Sequence, residues 1–229
     1  GAIVLTSGIV WAAPIAGAVT PPHVDDSLLP KPGAPAPPEK TEQRQQCLIS
    51  ADPDRATSTN QLHDLDLAAV WRLSRGAGQI VAVIDTGVAR HRLLPHLIPG
   101  GDYVSGGDGT DDCDGHGTVV AGVIGAAESS TGGSGFSGVA PDTTIIAIRQ
   151  SSLKFAPAGQ SAPGFGDVDT LAMAVRTAAD MGATVINVSS IACVDDFAAL
   201  DDRALGAALR YAVDVKNVGA GGGSIAWID

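Results

Sequence analysis

From Gln61 onward the chain alternates apolar runs of strand length with amphipathic stretches of helical period. Leu62, Leu65, Leu67, Val70, Trp71 and Leu73 recur at helix-like spacing over a short span, and Gly76 and Gly78 stop it. Ile80 to Ile84 is a continuous apolar run with Asp85 at its C-terminal end. Continuous runs suit a strand covered on both faces, as in a parallel sheet. Residues 99–115, rich in Gly and Asp, read as a loop. Residues 117–127 (GTVVAGVIGAA) are small and apolar and read as a buried helix. A second strand falls at 143–148 and a third at 184–188. Between them, 167–181 puts Val168, Leu171, Val175, Ala178 and Ala179 on one stripe, and Gly182 follows as a stop. That is an amphipathic helix with a C-terminal glycine. Residues 201–216 repeat the pattern with Leu205, Ala208, Leu209 and Ala212. Strands and helices in alternation predict an α/β fold, a parallel sheet flanked by helices.

The ends of the chain do not share this pattern. Residues 1–18 (GAIVLTSGIVWAAPIAGA) form a nearly uncharged apolar run closing on small residues. This is expected to be a cleavable export signal clipped at its front. Pro14 and a length under ~20 residues argue against a membrane anchor. Residues 19–60 hold Pro30, Pro32, Pro35, Pro37 and Pro38 among polar residues. Such a segment packs no core and is expected to run, extended, over the surface of the domain at 61–218. Beyond Asn217 another buried strand is due, yet four of the seven residues 218–224 are glycine. Residues 219–229 are therefore expected to be an aberrant tail, and the domain reads as incomplete.

Composition narrows the classes. At 229 residues and 45% hydrophobic, the chain can bury a sizeable core. A net charge of −11 argues against a nucleic-acid partner. Three cysteines without a CxxC pair, and five histidines without ligand spacing, predict neither metal nor cofactor. His23, His63, His91 and His96 read as surface or loop residues. The acidic cluster Asp102, Asp108, Asp111, Asp112 and Asp114 lacks the fixed spacing of a calcium loop and is expected to be solvated.

Two short motifs carry chemistry. Asp85-Thr86-Gly87 ends a buried strand, where α/β folds place ligands. Alone, this short motif favours a turn or a helix cap. His116 lies in Asp114-Gly115-His116-Gly117-Thr118, directly before an apolar helix; alone it is a surface histidine as readily as a functional one. Together they match a carboxylate that orients an imidazole, leaving the second ring nitrogen to take a proton from a serine. One chain order for such a triad is Asp, His, Ser.

The blocks IVAVIDTGV (80–88), DGHGTVVAGVIGA (114–126) and GVAPDTTIIAIR (138–149) resemble the subtilisin family in sequence, order and spacing. The Pro-rich extension, Cys47, DLDLAAVWRLSRGAGQIVAVIDTGV and DDRALGAALRYAVDVKNV are similar to the mycosins, subtilisin-like proteases attached to type VII secretion systems. The resemblance covers roughly residues 1–218. It implies a subtilisin-like fold and a serine endopeptidase acting on protein or peptide substrates. It also implies export to the cell envelope, near the type VII secretion membrane complex. Asp85 would orient, His116 would be the general base, and Ser189 and Ser190 would border the substrate cleft. In that family an oxyanion Asn, a Gly-Thr-Ser nucleophile block and a C-terminal membrane anchor follow; this sequence has no match to them, and Ser224 in GGGSIA does not fit the block. The chain as written is therefore expected to be inactive. The alternative is a non-catalytic component of an envelope secretion complex. Cys47 is expected to pair with Cys113, tying down the extension and leaving Cys193 free; the rival pairing is Cys113 with Cys193.

Overall fold

The computed structural model describes residues 24–49, 62, 65–128, 136–160, 164–189, 201–218 and 225–227. The predicted export segment, Ser190, Cys193 and Ser224 lie outside them. In chain order the elements are β1 (Thr41–Gln43), α1 (Leu67–Trp71), β2 (Ile80–Asp85), β3 (Leu97–Asp102), α2 (His116–Gly125), β4 (Thr144–Arg149), β5 (Phe155–Pro157), α3 (Val168–Asp180), β6 (Val185–Val188), α4 (Arg203–Arg210) and β7 (Ile225–Trp227). Five strands form one sheet in the order β3-β4-β2-β6-β7, with every neighbouring pair parallel. The α/β architecture with helices on both faces is the one expected from the alternation of patterns.

Why β2, β4 and β6 read as unbroken apolar runs follows from their place in the sheet. Successive side chains of a strand point to opposite faces. Val81 and Val83 of β2 and Ile145 and Ala147 of β4 pack in one cluster with Ala121 of α2. Their neighbours Ala82, Ile84, Ile146 and Ile148, with Ile186 and Val188 of β6, pack on the other face against α3 and α4. Both faces are covered, so both parities must be apolar.

Two stretches differ from expectation. Leu97–Asp102 is a strand, although Pro99, Gly100 and Gly101 led it to be read partly as loop. It stands at the edge of the sheet, and its register slips between Pro99 and Asp102. An edge position and a bulge are where Pro and Gly are admitted to a sheet. The second is α4, which does not continue as an α-helix to 216; it passes into a π-helical turn at Tyr211–Val215. The glycines from 219 onward are outside the described residues, and Ile225–Trp227 pairs in parallel with β6.

The described part of the Pro-rich segment is held to the domain at successive points. Asp26 pairs with Arg210 at 3.1 Å, and the Pro30 carbonyl accepts from Arg176 at 2.7 Å. The Thr41 hydroxyl donates to the Val104 carbonyl at 2.5 Å, and β1 pairs antiparallel with β5. Cys47 then forms a disulfide with Cys113, and Leu48 N–H donates to the Cys113 carbonyl at 2.9 Å.

Candidate active site

Residues 81 and 83 of β2 face α2, so parity sends Asp85 to that face too, at the carboxyl edge of the sheet. His116 opens α2. The His116 Nδ1 and Asp85 Oδ1 atoms are 2.7 Å apart. Asp85 Oδ1 also accepts from the Thr86 N–H at 2.7 Å. The Asp85 side chain is 1% exposed and that of His116 53%. Burial pushes the Asp85 carboxyl above its ordinary range, and the bonds from His116 and Thr86 pull it partly back. An ionised Asp85 accepts, so Nδ1 carries the proton and Nε2 is left basic. Among the described residues nothing bonds Nε2. Asp85 Oδ2 is buried without a partner.

The loop before His116 is fixed from three sides. Asp112 Oδ1 accepts from the Thr86 hydroxyl and the Gly115 N–H, each at 2.8 Å. Its Oδ2 accepts from Thr118 N–H at 2.8 Å and the Thr118 hydroxyl at 2.6 Å. Asp114 accepts from the Ser152 hydroxyl at 2.5 Å and the Leu153 N–H at 2.8 Å. Between them, Cys113 is the disulfide partner of Cys47. Gly117 must be glycine: a Cβ there would stand 2.1 Å from the Gly87 carbonyl oxygen and 3.0 Å from Asp85 Cβ. That contact lets the helix start against the strand end.

Of the acid-rich segment expected to be solvated, Asp108 and Asp111 are exposed, but Asp102 and Asp114 are buried and Asp112 is partly buried, each accepting hydrogen bonds from the fold. Asp102 is 1% exposed and accepts from the N–H groups of Val104 and Ser105 at 2.6 and 2.9 Å. Its other oxygen takes the Ser105 hydroxyl at 2.9 Å and lies 3.4 Å from Arg149 Nη1. In register, Asp102, Arg149 and Asp85 form one row across β3, β4 and β2. Arg149 is also buried, stacked 4.6 Å over the Phe155 ring, and its Nε and Nη2 have no partner. No group of three or more His, Cys, Asp or Glu among the described residues could hold a metal ion.

Ser189 follows Val188, which is level with Ile84, so it stands at the same sheet edge as Asp85. Its hydroxyl accepts from Asn187 Nδ2 at 2.7 Å. Asn187 is buried. Ser190 lies outside the described residues. Reading the sequence missed Asp112 and Arg149. A usable signal for Asp112 was there: an acid just ahead of a helix start, with a threonine in the first turn.

A buried carboxylate bonded to an exposed imidazole at the carboxyl edge of an α/β sheet is an arrangement that serine hydrolases of more than one fold share. Residues 76–218 match the subtilase family model, and the chain belongs to that family. Among its relatives, Mycosin-4 of Mycobacterium tuberculosis is 61% identical over 222 residues, covering 94% of this chain and 48% of the relative. Mycosin-3 of the same organism is 45% identical, covering 90% and 46%. The MycP3 protease from the type VII (ESX-3) secretion system superimposes with a TM-score of 0.74 at 44% identity, covering 91% of this chain and 57% of that one. A chain of the periplasmic assembly of the ESX-5 inner membrane complex gives 0.75 at 38% identity, covering 91% and 56%. The chain thus spans about half the length of the relatives it matches. No helix among the described residues is long and apolar enough to cross a membrane.

Proposed function

We propose that this chain is the front part of a mycosin-type serine endopeptidase, with Asp85 as orienting carboxylate and His116 as general base. The observation that carries this is the 2.7 Å contact between a buried Asp85 and a His116 whose outer edge is open. In the reaction, a serine Oγ–H gives its proton to His116 Nε2 as the oxygen attacks a peptide carbonyl. Asp85 accepts the Nδ1–H and stabilises the imidazolium. When the carbon–nitrogen bond breaks, Nε2 returns the proton to the leaving amine. The serine and the oxyanion donors would come from a segment corresponding to the half of the relatives that this chain does not match. Ser189, at the same sheet edge, would border the cleft for a protein or peptide substrate, with Ser190 beside it.

The type VII secretion membrane complex is the proposed partner and the outer face of the cell envelope the proposed location. The similarity to a chain of the ESX-5 assembly supports both, and also favours a second reading as a structural component. One pair of proteins separates them. The 229-residue polypeptide alone should not react with a fluorophosphonate probe. Residues 24–218 fused to the second half of Mycosin-4 should label and cleave peptides, and His116→Ala in that fusion should lower kcat at least about a thousandfold. Labelling of the 229-residue polypeptide would overturn the placement of the serine outside it, and a fusion indifferent to His116→Ala would sink the catalytic reading.

A further inference from the structure

Asp85 and His116 sit on different elements, and a catalytic pair has to be held within about 0.5 Å of its working geometry. The bond between them does not suffice: the His116 ring is more than half exposed, and among the described residues only Asp85 bonds it. What fixes the separation has to be the backbone of α2 relative to the end of β2.

We propose that Thr86 and Asp112 are positioning residues for this pair, a two-residue brace that ties the end of β2 to the first turn of α2. The proposal rests on reading Asp85 and His116 as the catalytic couple. Thr86 works from both ends. Its N–H donates to the Asp85 carboxylate, which orients that side chain. Its hydroxyl accepts from Gly117 N–H at 3.0 Å and donates to Asp112 at 2.8 Å. Asp112 then holds the residues either side of His116, taking Gly115 N–H on one oxygen and Thr118 N–H on the other. The Thr118 hydroxyl closes the circuit by accepting from Ala89 N–H at 2.9 Å, on the segment that follows β2.

Two features distinguish this from ordinary helix capping. The N-cap position is Gly115, which has no side chain to cap with, and the carboxylate is borrowed from three residues before it. A Ser or Asp at the N-cap would satisfy the free N–H groups without touching β2. Only the borrowed carboxylate reaches Thr86 as well. All four groups bonded to Asp112 donate, so it must act as an ionised acceptor at both oxygens. An asparagine would present N–H to N–H at one of them. The positive end of the helix favours the charge.

The test follows the His116 Nδ1–H resonance of the 229-residue chain by NMR, reading its exchange with solvent. Thr86→Val keeps the shape and the N–H but removes the hydroxyl; exchange should speed by roughly tenfold. Thr86→Ser restores the hydroxyl and should restore the slow rate. Tyr103→Phe removes a buried hydroxyl bond to Thr177 on the α3 side of the sheet. It controls for general loosening and should leave the rate unchanged. Unchanged exchange in Thr86→Val, or equal acceleration in Tyr103→Phe, overturns the brace. Asp85→Ala tests the couple itself: if it leaves the resonance unaltered, the Asp85–His116 reading fails, a result distinct from failure of the brace alone. Should Thr86→Val not fold by circular dichroism, Asp112→Asn breaks the same circuit at Thr118 and is held to the same outcomes.

Discussion

Asp85 is a carboxyl that the fold makes harder to ionise. Burial is the largest influence on it and raises its pKa above the ordinary value. For a group whose folded pKa is raised, the folded state binds the proton more tightly than the unfolded chain. Its contribution to stability is fully present below the unfolded value of about 4 and is lost as pH rises through the folded value. Asp85→Asn removes that loss. Urea denaturation from pH 3 to 8 should show the wild type losing stability relative to Asp85→Asn as pH rises through this window, with the variant at least as stable at pH 7. A deficit in Asp85→Asn that grows with pH would contradict the assignment of burial as the dominant influence. The same residue shows what a sequence can carry. Asp85 and His116 are legible because each closes or opens an element inside a short block of fixed spacing. Asp112 is less so: its place ahead of a helix start is a signal, but Asp102, Asp108, Asp111, Asp112 and Asp114 compete for that role until the fold decides which of them meets N–H groups.

At the scale of elements, the strands buried on both faces and the amphipathic α3 were readable from period alone. β3 was not, because Pro99, Gly100 and Gly101 are poor strand formers admitted only by the sheet edge and its bulge. The extension also packs against that weak strand. Gly101 has φ of +106°, and a Cβ there would stand 2.3 Å from the Pro35 ring. Gly101→Val should therefore cost about 1–3 kcal/mol and lift the extension. Limited proteolysis would report this as faster cleavage between 30 and 40; unchanged cleavage would mean that the contact is not holding. The disulfide acts on the same segment from its other end. Cys47 and Cys113 are 66 residues apart, and closing such a loop is worth roughly 4 kcal/mol in the chain-entropy model. Cys47→Ser with Cys113→Ser should lower the unfolding free energy by up to that amount in non-reducing buffer. The difference from wild type should vanish once reductant is added. At β4, Arg149→Ala would leave Asp102 a buried charge without its counter-ion, at a cost of about 3–5 kcal/mol by denaturant titration. A cost under about 1 kcal/mol would show that the N–H groups around Asp102 suffice without the guanidinium.

At the scale of the whole molecule, α2 is dressed for an interior it only half occupies. A helix apolar on most of its circumference is normally buried. Yet of its valines Val119 is 66% and Val123 37% exposed, four residues apart on the side that also carries the exposed His116. Val139, 38% exposed, adjoins this face by donating its N–H to the Val123 carbonyl at 2.9 Å. The opposite side of α2 is packed on β2 and β4 through Ala121. The chain matches about half the length of its mycosin relatives. A polypeptide corresponding to their other half that covered Val119 and Val123 would be brought beside His116. This makes opposite predictions for two contexts. In the 229-residue polypeptide, Val119→Lys replaces an exposed side chain and should change stability by no more than about 0.5 kcal/mol. In the fusion of residues 24–218 to the second half of Mycosin-4, the same lysine would be forced into an apolar interface and should cost on the order of 2–4 kcal/mol. Thermal unfolding of both proteins, with and without the substitution, measures the difference directly. A small effect in the fusion as well would show that the outward face of α2 stays in water when the second half is present.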